Sequence, residues 1–198
     1  MSVPLQRLVT IDDYLAGEGV NDRKAEYVAG HVRAMTGGSI SHARMIHALA
    51  MIIGPAAKAQ GCETFTSDAI LRIGDTIAYY PDLMVCCDAD DDNRNYRTSP
   101  CLMIEVPSPS TRKTDKAEKV AVYELMPSLL AFALVNPDEP WVEFHGRATS
   151  DQSWNARPMA PVPPCSFRAR KDSRWPSTTC TPSASFSSMA AGRRGVRR

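Results

Sequence analysis

The spacing of apolar and polar residues changes along the chain, and each change predicts an element. Thr10-Ile-Asp-Asp-Tyr-Leu reads as a short helix capped by Thr10, with Asp12 and Asp13 near its positive end. Residues 26 to 35 alternate across Ala29-Gly30, which predicts a hairpin. Ser39 can cap a longer helix running to about Gln60, with Gly61 as its stop and a kink or break expected at Gly54-Pro55, where proline removes a backbone donor. Strand-like runs follow at 64–73, 77–87 and 101–106, and the second is apolar on both faces around Leu83-Met-Val-Cys, as a covered central strand should be. A helix from Asp115 to Met126 and strands at 130–135 and 141–145 complete the pattern. The expected class is α/β, a mixed central sheet with helices on both faces.

After about residue 150 the pattern stops. Leu134 is the last Leu or Ile in the 198-residue chain, and the remainder is rich in Ser, Thr, Pro, Ala and Arg without period. Such a segment buries too little apolar surface to offset its ordering entropy, so the expectation is one domain over 1–149 and a disordered tail over 150–198. A natural basic tail and a reading frame shifted near Trp154 both account for this composition.

Charge sharpens the division. Residues 1–149 carry a net −6 and residues 150–198 a net +7, which the overall +1 conceals. No signal peptide is evident, and the most apolar stretch, Met45 to Ala57, is too short for a bilayer and interrupted by His47 and Pro55. A cytoplasmic protein without membrane attachment is expected. Cys62, Cys86, Cys87 and Cys101 lie in strand-like runs without Cys-x-x-Cys spacing and read as reduced core thiols.

The chemistry concentrates between Tyr80 and Lys119. Asp82 and Glu105 are lone acids in apolar strands, costly there unless a cation or hydrogen bonds compensate them. Asp115 and Lys119 share one helix face at the i, i+4 spacing. Two carboxylates and an ammonium can then converge at the strand ends. Magnesium prefers such carboxylate oxygens together with water.

Tyr-Pro-Asp82, Ile-Glu105-Val-Pro-Ser-Pro-Ser-Thr and Asp115-x-x-x-Lys119-x-x-x-Tyr123, in this order, resemble the Uma-type endonuclease family, a bacterial branch of the PD-(D/E)XK superfamily. Ala-Glu26-Tyr-Val-Ala-Gly30, Gly-Gly-Ser39-Ile-Ser-His42, Thr-Ser67-Asp68 and Leu134-Val135-Asn136 extend the likeness over roughly residues 8 to 145. The resemblance implies a restriction-endonuclease-like fold and a Mg2+- or Mn2+-dependent endonuclease acting on DNA. Asp82, Glu105 and the Val106 carbonyl would hold the metal, and Lys119 would assist the attacking water. Glu-x-Lys would place the lysine at position 107, where this chain has proline, so Lys119 fits the branch while departing from the wider motif. Glu26 resembles an acid that many superfamily members add, and it reads equally as a salt-bridged surface residue beside Lys24. The alternative is an inactive nuclease-fold module binding nucleic acid or a protein. A homodimer is left open.

The remaining signals favour plainer roles. Asp115 suits a helix cap, Ser108, Ser110 and Thr111 suit turns, and Arg112, Lys113 and Lys116 suit a solvated face or contacts to a DNA backbone. Gly37-Gly38-Ser39 lacks a P-loop lysine. His42 and His47 are five apart, which favours packing or surface roles over a shared metal. Asp88-Ala-Asp-Asp-Asp92 departs from a calcium loop at Asn93 and Ser99.

Overall fold

A computed structural model describes residues 8–18, 23–35, 37–107, 114–138 and 141–159. The tail from residue 160 lies outside them. Among the described residues three helices, α1 (Ile11–Glu18), α2 (Ile40–Lys58) and α3 (Thr114–Glu124), combine with two sheets. The five-stranded sheet has the order β2-β1-β5-β4-β7, from β1 (Ala25–Val28), β2 (His31–Ala34), β4 (Ile70–Ile73), β5 (Ile77–Tyr79) and β7 (Tyr96–Arg97). The six-stranded sheet has the order β11-β10-β9-β8-β6-β3, from β3 (Glu63–Thr66), β6 (Leu83–Cys86), β8 (Pro100–Glu105), β9 (Ala131–Val135), β10 (Val142–Gly146) and β11 (Asn155–Met159). The mixed α/β class is the one expected, with the strands shared between two sheets.

The division has a local cause. Residues 64–73 and 77–87, each legible as one strand, are each two strands belonging to different sheets. Ser67, at φ 28°, turns the first run, and Pro81, which has no donor for a ladder, interrupts the second. The breaks face one another, since the Ser67 N–H donates to the Asp82 carbonyl at 3.2 Å. Asp82 therefore sits where the chain passes from one sheet to the other.

Strand alternation distributes the core. Leu83 and Val85 of β6 join Ile104, Ala133 and Val135 on the face covered by Ile46 and Ala57 of α2. Met84 and Cys86 join Met103 and Phe132 on the face covered by Tyr123 of α3. A third cluster, Ile11, Tyr14, Tyr27, Ile70, Ala78 and Tyr80, packs α1 on the five-stranded sheet. β8 and β9 are parallel, with Glu105 opposite Leu134, so α3 is the crossover between them.

The caps behave as read. Thr10 Oγ1 accepts from the Asp13 N–H at 3.1 Å, and Ser39 Oγ from the His42 N–H at 3.2 Å. Ala29 and Gly30 turn the hairpin at φ 47° and 91°. Helix α2 does not break at Gly54-Pro55 but continues through Pro55. The carbonyl deprived of a donor is that of Met51, an exposed residue, and Ala59 N–H still donates to the Pro55 carbonyl at 3.1 Å.

Two further differences follow from pairing. Antiparallel register sets Glu63 opposite Cys86, so the next pair outward is Cys62 and Cys87, and these form a disulfide where reduced thiols are expected. Cys86 and Cys101 are free thiols, as read, and burial pushes the Cys86 thiol up to about 12. Past residue 149, where the tail was expected to begin, β11 pairs with β10 from Val142↔Met159 to Gly146↔Asn155. Trp154 donates to the Glu124 carbonyl at 2.9 Å, meets Phe132 edge-on at 5.3 Å and lies under the Arg147 guanidinium at 4.5 Å. Replacing Trp154 with alanine should therefore cost about 3 kcal/mol of stability in urea unfolding. An unchanged midpoint would show that the Trp154 side chain adds nothing to the fold.

Candidate active site at the strand ends

The site begins with Glu105 at the end of β8, where the strand feeds the crossover helix. Lys119 and Tyr123 lie four residues apart on α3 and both reach Glu105 Oε1, at 3.3 Å and 2.6 Å. Glu26 arrives from β1 of the other sheet, and its Oε1 is 2.9 Å from the Lys119 ammonium. The Tyr79 ring lies beneath the same ammonium at 5.1 Å. Tyr79 in turn donates to Glu118 at 2.8 Å, and Arg33 pairs with Glu118 at 3.0 Å. One lysine thus joins acids from two sheets.

Asp82 approaches through the backbone break. Its Oδ2 accepts the Val106 N–H at 2.7 Å, and His42 Nε2 stands 3.2 Å from Oδ1 and 3.3 Å from Oδ2. Val106 is buried beside the acid through its amide. Asp82, Glu105, Lys119 and Glu26, all singled out from sequence, are gathered here. His42, read as a packing or surface residue, contacts Asp82. Tyr123, part of the recognised motif without an assigned role, is the partner of Glu105.

The electrostatics follow from burial. Desolvation raises the pKa of Glu105, opposed by Lys119 and reinforced by the Asp82 charge. Glu26 is raised by the same desolvation and held back by Lys119. Burial works against the Lys119 ammonium, yet Glu105 and Glu26 outweigh it and raise its pKa. The lysine stays charged at neutral pH. Glu118 is lowered despite burial, because Tyr79 and Arg33 donate to it.

The family model described as "Putative restriction endonuclease", Uma2, matches residues 11–164. The chain belongs to the Uma2 family. Its relatives include the uncharacterized proteins slr1290 and sll1609 of Synechocystis sp. (strain ATCC 27184 / PCC 6803 / Kazusa). The first is 32% identical over 77% of this chain and 80% of that protein, and the second 29% over 78% and 89%. A crystal structure from Anabaena variabilis ATCC 29413, described as "a putative nuclease belonging to DUF820", has a similar fold, with a TM-score of 0.59 at 19% identity over 78% of this chain and 89% of that one. Uma2 membership makes the function nuclease-like.

Restriction-endonuclease-like families generally use divalent metals, and the donor set can be tested against that. Among the described residues no three His, Cys, Asp or Glu side chains are already spaced to hold an ion. The chemistry nevertheless fits a hard divalent cation. Glu26 and Glu105 share one ammonium, the Asp82 charge acts on Glu105, and Mg2+ commonly takes only one or two protein carboxylates and keeps water elsewhere.

Other candidates fall away from the site or outside view. Lys24 pairs with Asp68 instead of Glu26. Asp91 accepts from the backbone of Thr98 and Ser99, both at 2.8 Å, which makes the acidic loop a turn that fastens itself. Ser108, Ser110, Thr111, Arg112 and Lys113 lie outside the described residues, as do the side chains of Asp115 and Lys116. No helix among the described residues is long and apolar enough to cross a membrane.

Removing Lys119 should expose how far these acids depend on it. Both glutamates have raised pKa values, so their ionised forms oppose folding increasingly as pH climbs from about 4.5. Lys119→Met removes the charge that offsets this. The expected loss is about 3 to 5 kcal/mol at pH 8, shrinking towards pH 4.5 as both acids take up protons. Urea unfolding at the two pH values checks it, and a deficit independent of pH would contradict the assignment.

Proposed function

We propose that the chain is a divalent-metal-dependent endonuclease that hydrolyses DNA phosphodiester bonds. The observation that carries this reading is the pairing of Glu26 and Glu105 with a single ammonium in a mostly buried site, with Asp82 near enough to raise the Glu105 pKa by its charge. Asp82, Glu105 and the Val106 carbonyl would hold Mg2+ or Mn2+. When bound, the ion would acidify water, neutralise charge on the phosphoryl oxygens and assist the leaving oxygen.

The protein's own groups perform the rest. The Val106 amide fixes one Asp82 oxygen, and the Tyr123 hydroxyl fixes Glu105. Lys119 presents a permanent positive charge to the attacking water and the scissile phosphate, preorganised by Glu26 and Glu105 so that little reorientation accompanies the reaction. Glu26 is a positioning residue for that ammonium. Residues 1–149 carry net negative charge, so neutralisation at the cation is what lets a DNA phosphate approach.

Nicking of supercoiled DNA by the full chain, with Mg2+ or Mn2+ and with chelator, tests the reading. Asp82→Asn and Glu105→Gln should each abolish metal-dependent cleavage. Lys119→Met should lower turnover by roughly two orders of magnitude in protein verified as folded at the assay pH, whereas Lys58→Met, exposed in the last turn of α2, should not. Cleavage by both acid variants at the wild-type rate would remove those residues from the mechanism. DNA binding without cleavage in the wild type would favour the non-catalytic module.

A further inference from the structure

Among the described residues, His42 contacts a proposed metal ligand and has no part in the mechanism above. It stands in the first turn of α2, with its amide on the capping Ser39 hydroxyl, and its ring is directed to Asp82. The ring is mostly buried, its side chain 18% exposed against 15% for Asp82. The chain makes room for it. A Cβ at Gly38 would lie 2.5 Å from His42 Nδ1, closer than atoms can approach, so only glycine there permits this ring position. The Gly38-Ser39 pair preceding α2 therefore serves as a seat for an imidazole.

The contact with Asp82 is longer than a charge-assisted pair usually is. A charge-assisted N–H···O bond closes to about 2.7–2.9 Å on one oxygen. Here Nε2 lies 3.2 and 3.3 Å from the two oxygens, and Oδ2 already accepts the Val106 amide at 2.7 Å. Two donors bound cis to one octahedral ion, each about 2.1 Å from it, are separated by about 3.0 Å. The His42–Asp82 spacing is close to that of two ligands sharing an ion.

We propose that His42 Nε2 is a ligand of the same divalent cation that Asp82 holds, and that it biases the site towards first-row transition ions over Mg2+. This rests on the metal-dependent reading above. Magnesium favours oxygen donors, whereas an imidazole nitrogen strengthens binding along the series from Mn2+ to Co2+. With Asp82, Glu105 and the Val106 carbonyl the donor set becomes one nitrogen with oxygens. Gly38 and Ser39 are positioning residues for that nitrogen.

Calorimetric titration of the full chain with Mg2+, Mn2+ and Co2+ tests this without any assay of cleavage. The wild type should bind Mn2+ and Co2+ more tightly than Mg2+. His42→Ala should weaken Mn2+ and Co2+ roughly 10- to 100-fold and Mg2+ by only a few-fold, collapsing the preference. His42→Asn, which keeps a polar group and tolerates the helix start, should show the same collapse and guards against misfolding of the alanine variant. Gly38→Ala should shift selectivity in the same direction by displacing the ring. The visible absorption of bound Co2+ should change in each variant. If the ions bind but the three affinities fall equally, or do not fall, His42 is only a hydrogen-bond partner of Asp82 and this inference alone is overturned. If the wild type binds none of the three ions, the metal-dependent reading fails with it.

Discussion

The ammonium of Lys119 holds the site together. Glu26 belongs to the five-stranded sheet, Glu105 to the six-stranded sheet, and the lysine to the crossover helix, so one cation fastens three elements at one point. Two buried carboxylates at this separation would otherwise repel each other and favour protonation. The Tyr79 ring beneath the ammonium and the Tyr123 hydroxyl on Glu105 complete a network in which nearly every polar group has a defined partner. Asp82 adds a third carboxylate whose charge acts on Glu105 and which the lysine does not pair with. That imbalance distinguishes the cluster from an internal salt bridge, and it is the physical basis for expecting a further cation.

Asp82 reaches the cluster through a different constraint, the break at Pro81. A continuous strand from Ile77 to Cys87 would keep its backbone in a ladder, but the proline ends the pairing and lets the chain cross between sheets. The backbone amide of Val106 then becomes available to Asp82. Placement of the two proposed ligands thus depends on different features, a parallel crossover for Glu105 and a proline break for Asp82.

Much of this was legible in the chain itself. The lone acids in apolar strands, the Thr10 and Ser39 caps and the Ala29-Gly30 hairpin all depend on neighbours in sequence, and local rules find them. The interruption of two long apolar runs at Ser67 and Pro81 was not foreseen, because period alone does not say which sheet a residue joins. The Cys62–Cys87 pairing required the β3–β6 register, a tertiary fact. His42 reads from sequence as a packing or surface residue for a related reason. Its spacing from His47 is a local signal, whereas its partner Asp82 lies 40 residues away, and the sequence offers only Gly38 before the helix as a clue. Pro55 does not break α2, because a helix proline costs less where the freed carbonyl meets solvent.

The most direct test of the central claim is anomalous diffraction from a crystal of the full chain soaked in Mn2+. The account predicts one strong peak per chain within about 2.2 Å of carboxylate oxygens of both Asp82 and Glu105. No peak there, or one only at the acidic loop of Asp88 to Asp92, would contradict it.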